Sequence, residues 1–257
     1  CLPEDVEISG LETICPECAK KYAEDEPLAM LDRARLVELP LNARLEDVIG
    51  GADERAIIRE RYALRKGILA QADRNLLYVD EVNLLNDEVI DAILDAAAQG
   101  HYVVRRGPVS ATFRSRFALI GSMNPEEGRL RPQIMDRFGL RVIVRGLPNP
   151  TERLKAYQHV HAYTSNPRRM AAQFAEVTAV TQQEIQIARD VLPQVELPAE
   201  VAEMGLSLVE KLQIDSLRAE ITLFEAARAH AIADGRLEVE RQDLKIVAPI
   251  ALRLRGL

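Results

Sequence analysis

The feature that most constrains this chain is an uninterrupted apolar run, Leu76–Val79, that ends in the adjacent carboxylates Asp80 and Glu81. Because the run shows no polar alternation, it predicts a strand covered on both faces, as in a parallel sheet with helices on either side. The two carboxylates then fall at the carboxyl end of that strand, where open α/β sheets bind their ligands.

Two carboxylates at such an edge suit nucleotide chemistry. Asp80 is a candidate ligand for Mg²⁺, usually through a water molecule, because Mg²⁺ keeps several waters and takes one or two protein carboxylates. Glu81 is a candidate to orient and deprotonate an attacking water. A buried strand that simply runs into an acidic turn would give the same pattern, so this segment alone leaves both interpretations open.

Length and composition describe a globular protein. The 257 residues are 47% hydrophobic, which is enough for one large domain or two smaller ones. The formal charge of −7 argues against broad nucleic-acid binding. No apolar run approaches the ~20 residues of a membrane span, and the acidic start shows no secretory signal. Three cysteines do not describe a disulfide framework, so we expect a cytoplasmic protein.

The N-terminal region has one sharp feature, a C-x-x-C pair formed by Cys15 and Cys18. Such a pair supplies two zinc ligands and Cys1 offers a third, but no nearby histidine or fourth cysteine closes a tetrahedral site. We therefore expect a surface loop with incidental cysteines. The first residue is Cys rather than Met, so we expect a fragment or a processed piece.

Patterning in the first part of the chain predicts alternating strands and helices. Asn86 is placed to cap a helix that Gly100 ends. The apolar face of that helix is predicted to contain Val89, Ile90, Ile93, Leu94 and Ala97. The other predicted elements are strands at Arg35–Leu39, Phe117–Gly121 and Leu140–Val144, a hairpin pairing His101–Val104 with Val109–Phe113, and a helix over Asp53–Arg65.

After Pro148 and Pro150 the composition shifts to helices. Thr181 and Glu184 have the spacing of a capping box and predict the start of a helix that Pro193 ends. Later helices are predicted over Ala199–Leu212, Leu217–Asp234 and Arg241–Arg253. We therefore predict an α/β domain over residues 1–150 and a helical domain over residues 151–257.

Further motifs follow the carboxylate strand in order. They read G-S-M-N-P-E-E-G over Gly121–Gly128, L-R-P-Q-I-M-D-R-F-G-L over Leu130–Leu140 and L-R-A-E-I-T-L over Leu217–Leu223. Together with D-E-V-N-L-L at residues 80–85, they give a chain that resembles AAA+ ATPases, and in particular the ATPase (I-type) subunit of magnesium chelatase. The resemblance runs from about Arg35 to the C-terminus. It implies an α/β AAA+ core with a parallel sheet flanked by helices, followed by an all-α lid domain.

The resemblance implies roles for the residues at the sheet edge. Asp80 and Glu81 match the Walker B pair, which places Mg²⁺ at Asp80. Asn124 matches sensor 1, whose neutral amide can both donate and accept, so it can hold the attacking water or a γ-phosphate oxygen. The alternative for Asn124 is a turn residue before Pro125.

The L-R-P-Q-I-M-D-R-F-G-L element contains two candidate arginines. Arg137 resembles the arginine finger that reaches a neighbouring subunit's nucleotide, a contact typically worth ~10³–10⁵ in rate. Its alternative is a local pair with Asp136 or with the Glu126–Glu127 loop. Arg131 is a weaker candidate on the same element.

Arg218 resembles sensor 2, a phosphate contact. It falls in the first turn of a predicted helix, where a cation opposes the helix dipole by ~0.3–1 kcal/mol, so local helix energetics do not favour it. Pairing with Asp215 or Glu220 would also explain the placement.

The predicted hairpin matches a family insertion that faces the pore or a partner. Arg105 and Arg106 at its tip suit either an acidic partner or a solvated turn.

The resemblance implies ATP and Mg²⁺ as cofactors, a homo-oligomeric ring that we expect to be a hexamer, and other chelatase subunits as partners. The motor would drive Mg²⁺ insertion into protoporphyrin IX, in chlorophyll or bacteriochlorophyll biosynthesis, by a larger porphyrin-binding subunit. One alternative is a chelatase-like AAA+ ATPase that acts on another metalloenzyme or a protein assembly. Another is a non-hydrolysing ring scaffold.

The sequence departs from the family pattern at the phosphate-binding loop. The motif G-x-x-x-x-G-K-[ST] occurs nowhere in the 257 residues. In the family this loop lies N-terminal to the region where the chain begins, so we expect truncation. The alternative is a natural chain that has lost the loop.

We predict that these 257 residues alone bind ATP poorly, because the loop's backbone N–H donors and its lysine are missing. Isothermal titration of the chain with Mg²⁺ and ATP measures this directly. Micromolar affinity would contradict the prediction, since it would require another phosphate cradle within the chain.

Overall fold

The computed structural model describes residues 16–26, 33–52, 64–107, 109–128 and 130–253. The chain divides into two compact units, Cys1–Leu130 and Arg131–Leu257. These units are groups of mutually contacting residues. The domain boundary near residue 150, inferred from composition, stays a prediction.

Among the described residues, the strands all lie in the first unit. They are β1 Leu36–Leu39, β2 Gly50–Ala52, β3 Leu64–Lys66, β4 Leu76–Val79, β5 His101–Arg106, β6 Val109–Arg114 and β7 Ala118–Gly121. The helices of this unit are α1 Pro16–Ala23, α2 Leu45–Ile49, α3 Ile68–Gln71 and α4 Asp87–Gln99. The helices of the second unit are α5 Pro132–Arg137, α6 Pro150–Ser165, α7 Pro167–Gln173, α8 Ala175–Val191, α9 Ala199–Lys211, α10 Leu217–Ala233 and α11 Arg241–Ala251.

The predicted apolar strand, β4, is the middle strand of a parallel sheet with the order β1-β4-β7. Leu77 lies opposite Val37 on one side and Leu119 on the other. Leu77 and Val79 are fully buried, while Leu76 and Tyr78, on the opposite face, are partly buried. The parallel arrangement that the continuous apolar run predicts is confirmed.

Helix α4 lies where the sequence predicts it. It follows Asn86, although that side chain makes no capping hydrogen bond, and it ends at Gly100 with φ 71°, a left-handed conformation that glycine adopts easily. Its buried residues are Val89, Ile90, Ile93, Leu94 and Ala96. Ala97, predicted on this face, is exposed, and its neighbour Ala96 is buried.

The predicted hairpin is confirmed as the antiparallel pair β5 and β6, with His101 opposite Arg114 and Arg106 opposite Val109. The rings of Tyr102 and Phe113, which face each other across the pair, have centroids 5.6 Å apart. Cross-strand aromatic contacts of this kind stabilise an antiparallel register.

The helix predicted over Asp53–Arg65 is wrong at its C-terminal end. Leu64 and Arg65 lie in β3, which pairs antiparallel with β2, and residues 53–63 are outside the described part of the chain. A Cβ atom added to Gly67 would lie 2.3 Å from the carbonyl oxygen of Val48. Only glycine permits this close backbone approach after β3, and the pairing of β3 with β2 overrides local helix propensity at Leu64 and Arg65.

The strand predicted over Leu140–Val144 is also wrong. Residues 140–144 have no strand pairing in the described part of the chain, and Val144 is 90% exposed. A strand exists only through hydrogen bonds to a neighbouring strand. Instead, Arg141 donates its backbone N–H to the carbonyl of Ile250 at 2.8 Å and its side chain to the carbonyl of Arg253 at 2.7 Å, both near the end of α11.

The second unit is helical, as the sequence predicts. The predicted capping box is wrong, because Thr181 and Glu184 lie inside α8, which begins directly after Phe174 and contains no helix breaker. The hydrophobic core is formed by α9, α10 and α11, whose buried residues include Val209, Leu223, Ala227, Ala231, Leu244, Val247 and Ala251. These helices begin where predicted and end within one or two residues of the predicted positions.

A buried ion network joins α10 to α11. Asp243 is fully buried and accepts two hydrogen bonds from the Arg236 guanidinium, at 2.7 and 2.6 Å, and one from the backbone N–H of Glu240 at 2.8 Å. The Nδ1 atom of His230 lies 2.6 Å from the same carboxylate. Arg236 is the largest cause that lowers the pKa of Asp243 far below its usual range.

We predict that Asp243→Asn lowers the free energy of unfolding of the 257-residue chain by ~3–5 kcal/mol, because it leaves the charge of Arg236 without its buried partner. A depressed carboxyl pKa contributes stability above the unfolded-state pKa, so the difference should shrink as pH falls below the ordinary value of 3.8. Urea unfolding at several pH values measures it.

The matched control is Asp234→Asn, which removes an exposed partner of Arg236 at 3.2 Å. It should cost no more than ~1 kcal/mol, as is typical of surface ion pairs. Equal effects of the two substitutions would contradict the assignment of Asp243 as the centre of the network.

Candidate active site

Parallel register brings the predicted site residues of the first unit to one edge of the sheet. Val79, the last residue of β4, lies opposite Gly121, the last residue of β7. Asp80 and Glu81 follow the first strand, and the loop that contains Ser122 and Asn124 follows the second. The two segments therefore start side by side at the carboxyl edge, which is the ligand-binding edge of open α/β sheets.

Asp80 is held by two hydroxyl groups. Its Oδ1 atom accepts hydrogen bonds from the Ser122 hydroxyl and from the Tyr78 hydroxyl, the latter at 3.0 Å. The Ser122 bond, followed by the Tyr78 bond, holds the pKa of Asp80 below its usual value. Asp80 therefore stays ionised at neutral pH, as a ligand for a hydrated cation must.

Ser122 also fixes the backbone on either side of Glu81. Its Oγ atom accepts a hydrogen bond from the Glu81 N–H at 3.2 Å, and its carbonyl accepts one from the Val82 N–H at 2.9 Å. Ser122 in turn donates its N–H to the carbonyl of Val79 at 3.0 Å. One residue of the neighbouring strand thus binds both carboxylate residues and the turn that follows them.

Ser122 and Tyr78 are not among the predicted site residues. Two signals in the sequence point to them. Tyr78 precedes Asp80 by two positions, which places both on the same face of a strand, and Ser122 follows the next apolar strand directly. Recognising Ser122 requires the register of β4 and β7, which the sequence does not specify.

Glu81 has an unusual backbone conformation. Its φ and ψ angles of 46° and 51° lie in the left-handed region, which is rare for residues other than glycine. A residue held in this conformation typically costs ~1–3 kcal/mol of stability, and such residues cluster at active sites, where the surrounding structure holds them. Here the hydrogen bond from the Glu81 N–H to Ser122 supplies part of that support.

The pKa of Glu81 is raised above its ordinary value. The largest cause is repulsion from Glu127, followed by partial burial and by repulsion from Asp80. A carboxylate that binds a proton more readily than usual is a better general base, because efficiency rises as the pKa approaches the working pH. The pair Asp80 and Glu81 therefore combines one carboxylate of lowered pKa with one of raised pKa.

Asn124 forms the turn that places Glu127. Its side-chain Oδ1 atom accepts a hydrogen bond from the Glu126 N–H at 3.1 Å, and its carbonyl accepts one from the Glu127 N–H at 3.1 Å. The turn role considered for Asn124 is thus observed. Its sensor 1 role stays a prediction that the position at the sheet edge supports.

Asn83 is a polar residue beneath this loop. Its Nδ2 and Oδ1 atoms are both buried and have no hydrogen-bond partner among the described residues. A Cβ atom added to Gly128 would lie 3.5 Å from the Nδ2 atom, so the loop backbone passes close to the amide. The residue lies in the D-E-V-N-L-L motif but was not predicted to be a site residue.

In the second unit, Arg218 pairs with Asp136 rather than with Asp215 or Glu220, the partners considered from sequence. The guanidinium donates to Asp136 Oδ2 at 3.1 Å, and the Ser216 hydroxyl donates to Oδ1 at 3.2 Å. Arg218 lies in the first turn of α10, as predicted, and this pair offsets the unfavourable helix-dipole interaction. Its sensor 2 role stays a prediction.

The remaining predicted arginines lie on short elements. Arg131 directly precedes α5 and Arg137 is its last residue. At the hairpin tip, Arg106 donates to the carbonyl of Arg105 at 3.3 Å and lies 3.8 Å from Glu46, so it already has local contacts. The finger role of Arg137 stays a prediction.

Of the three N-terminal cysteines, the structure describes the backbone of Cys18 alone, so the C-x-x-C pair stays a prediction. Cys1 and Cys15 are outside the described residues, and Cys18 lies in α1, so the surface loop expected there is wrong for residues 16–23. Within the described ranges, the group with metal-ligand spacing is His230, Asp234 and Asp243, but Arg236 already binds Asp243. None of the described helices is long and apolar enough to cross a membrane.

The parallel sheet, the carboxylate pair at its edge and the helical second unit fit the AAA+ ATPase class, and comparison with known proteins gives the same class. The family model for the MCM P-loop domain matches residues 49–161, and the model for the AAA lid domain matches residues 206–256. The crystal structure of a protein assigned as an ATPase from Cytophaga hutchinsonii aligns with a TM-score of 0.59 at 18% identity, covering 84% of this chain and 67% of that one. This likeness supports the fold.

Two relatives identify the family. The magnesium-chelatase 38 kDa subunit of Acidiphilium rubrum is 40% identical over 243 residues, which cover 94% of this chain and 70% of the relative. The magnesium-chelatase subunit ChlI homolog of Methanocaldococcus jannaschii is 40% identical over 240 residues, which cover 93% and 66%. The chain belongs to the magnesium-chelatase I-subunit family of AAA+ ATPases, and it spans about two thirds of the length of these relatives.

We predict that Glu127→Gln lowers the pKa of Glu81, because it removes the largest source of repulsion on that carboxylate. Carboxyl ¹³C NMR titration of the 257-residue chain measures the shift directly. Glu126→Gln is the matched control, since Glu126 is the exposed neighbour on the same turn and does not contribute to the raised pKa. An unchanged or higher Glu81 pKa in Glu127→Gln would contradict the assigned cause.

Proposed function

We propose that the chain is part of the ATP-hydrolysing motor of a magnesium-chelatase-like complex, which drives Mg²⁺ insertion into protoporphyrin IX by a partner subunit. The observation that carries the proposal is the sheet edge at which Asp80, Glu81 and Asn124 follow two adjacent parallel strands. Family membership supports the same activity.

The residues at this edge fit a magnesium–nucleotide complex. Asp80 is kept ionised, and the hydroxyls of Ser122 and Tyr78 both bind its Oδ1 atom. Asp80 would hold a Mg²⁺ ion, through water in the mode that is usual for this ion. When bound, the ion neutralises charge on the phosphate oxygens. The 257 residues lack the phosphate-binding loop motif, so they hold only the hydrolytic side of such a site.

In this proposal the chain's own residues act on the attacking water. Glu81, with its raised pKa, accepts the proton of the water as it attacks the terminal phosphate. Asn124 orients that water or holds a γ-phosphate oxygen through its amide. Arg218 contacts phosphate from the first turn of α10, which requires it to exchange its pair with Asp136 for the nucleotide.

The proposal includes an oligomeric ring, expected to be a hexamer, in the cytoplasm. Arg137 would reach the nucleotide bound by the neighbouring subunit and neutralise charge that develops on the transferred phosphoryl group. The partners would be other chelatase subunits, because the relatives are themselves named as subunits of magnesium chelatase or their homologs. Porphyrin chemistry would then belong to the partner, and this chain would supply mechanical work.

A second candidate keeps the ATPase and changes its client. The site residues assigned from the shared motifs serve nucleotide hydrolysis rather than porphyrin binding, and the M. jannaschii relative is named only as a homolog of the chelatase subunit. The motor would then act on another metalloenzyme or a protein assembly. A gene for a von Willebrand-type domain directly downstream would favour this candidate, whereas neighbouring porphyrin-pathway genes would favour the chelatase.

A non-hydrolysing scaffold is the third candidate. The missing phosphate-binding loop favours it. The geometry around Asp80 and Glu81 disfavours it, because a scaffold has no physical need for a strained glutamate and two carboxylates of opposite pKa shift.

We predict that Glu81→Gln in the full-length gene product preserves nucleotide binding and lowers ATP turnover by ~10²–10⁴, because the amide cannot accept the proton of water. Steady-state phosphate release and fluorescent-nucleotide binding measure the two effects. Glu88→Gln, an exposed change in the first turn of α4, is the control and should leave both unchanged. Unaltered turnover in Glu81→Gln would refute the role of Glu81 as the base.

A further inference from the structure

We infer that Ser122 is a positioning residue for ATP hydrolysis: its single hydroxyl fixes both the metal-binding carboxylate of Asp80 and the backbone of the catalytic Glu81. This inference rests on the proposed function, and it names a residue that the motif roles do not include. Ser122 directly follows β7, whereas the two carboxylates directly follow the neighbouring strand β4.

The two hydrogen bonds of the hydroxyl have opposite directions. The Ser122 O–H donates to Asp80 Oδ1, and its oxygen accepts from the Glu81 N–H at 3.2 Å. A serine hydroxyl has one proton and two lone pairs, so it can satisfy both groups at once. A hydrophobic side chain of the same size could satisfy neither, and alanine would leave the Glu81 N–H without this acceptor.

The first bond sets the direction of the carboxylate. With Oδ1 bound by Ser122 and by Tyr78 at 3.0 Å, rotation of the Asp80 side chain is restricted. The carboxylate that would hold the ion is then kept in one orientation. Loss of a group that orients a metal-binding residue in this way typically lowers metal affinity or activity by about 10–100-fold.

The second bond supports a conformation that the chain would otherwise avoid. Glu81 is in the left-handed region at φ 46°, and its N–H donates to Ser122 Oγ. The Val82 N–H donates to the Ser122 carbonyl at 2.9 Å, so the turn is held on both sides of the Glu81 α-carbon. Loss of the hydroxyl removes one of these two supports, and the aim of the Glu81 carboxylate changes with it.

Tyr78 separates the two effects. It binds only the carboxylate of Asp80 and makes no hydrogen bond to the Glu81 backbone among the described residues. Tyr78→Phe should therefore weaken only the orientation of the Asp80 carboxylate. Ser122→Ala should weaken that orientation and also the support of the Glu81 backbone. Ser122→Thr keeps the hydroxyl and should therefore preserve both the orientation of Asp80 and the support of the Glu81 backbone.

The test measures the full-length gene product and the 257-residue chain in parallel. In the full-length protein, Ser122→Ala should lower kcat by about 10–100-fold and raise the Mg²⁺ concentration for half-maximal turnover by about 10-fold, with a small change in the KM for ATP. In the 257-residue chain, amide hydrogen exchange of Glu81 and Val82 should accelerate in Ser122→Ala and stay slow in Ser122→Thr and Tyr78→Phe.

Ser110→Ala, an exposed serine on β6, is the matched control and should change none of these readouts. If the wild-type protein turns over ATP and Ser122→Ala has the same kcat and the same Mg²⁺ dependence, the inference is overturned and the proposed function stays intact. Lack of ATP turnover in the wild-type full-length protein would overturn the proposed function, and the amide exchange of Glu81 would still test the hydrogen bond.

Discussion

The candidate site depends on one pairing, the parallel alignment of β4 with β7 that sets Val79 opposite Gly121. Because both strands end at the same level, a carboxylate turn and a polar loop leave the sheet side by side. A shift of register by one residue would turn Ser122 to the opposite face and separate it from Asp80. Leu77 and Val79, fully buried on one face of β4, make such a shift costly, so the hydrophobic core of the sheet fixes the geometry of the polar edge.

At that edge, the different surroundings of two neighbouring carboxylates shift their pKa values in opposite directions. Hydroxyl donors lower the pKa of Asp80, while Glu127 and partial burial raise that of Glu81. A cation ligand must stay ionised, and a general base works best when its pKa approaches the working pH, so the two shifts suit two different tasks. The left-handed backbone of Glu81 adds strain that Ser122 helps to hold.

The sequence predicts the elements that carry strong local patterns: the apolar strand β4, helix α4 with its glycine stop, and the hairpin β5–β6 are all confirmed. It fails where distant contacts decide. Leu64 and Arg65 form a strand because they pair with β2, and residues 140–144 form none because they have no strand partner in the described part of the chain. In the same way, Asp80 and Glu81 are evident from the motif, whereas Ser122 and the pair of Arg218 with Asp136 depend on which segments lie together.

The central claim is that water is activated at the edge of the sheet by one subunit while the neighbouring subunit supplies Arg137. Mixing Glu81→Gln with Arg137→Ala in the full-length gene product tests it most directly, by measuring ATP turnover of each variant and of the mixture. Each variant alone should be nearly inactive. The mixture should recover turnover, because about a quarter of the interfaces in randomly mixed rings pair an intact Glu81 with an intact Arg137. A mixture as inactive as its components, or an Arg137→Ala protein with full turnover, would contradict the claim.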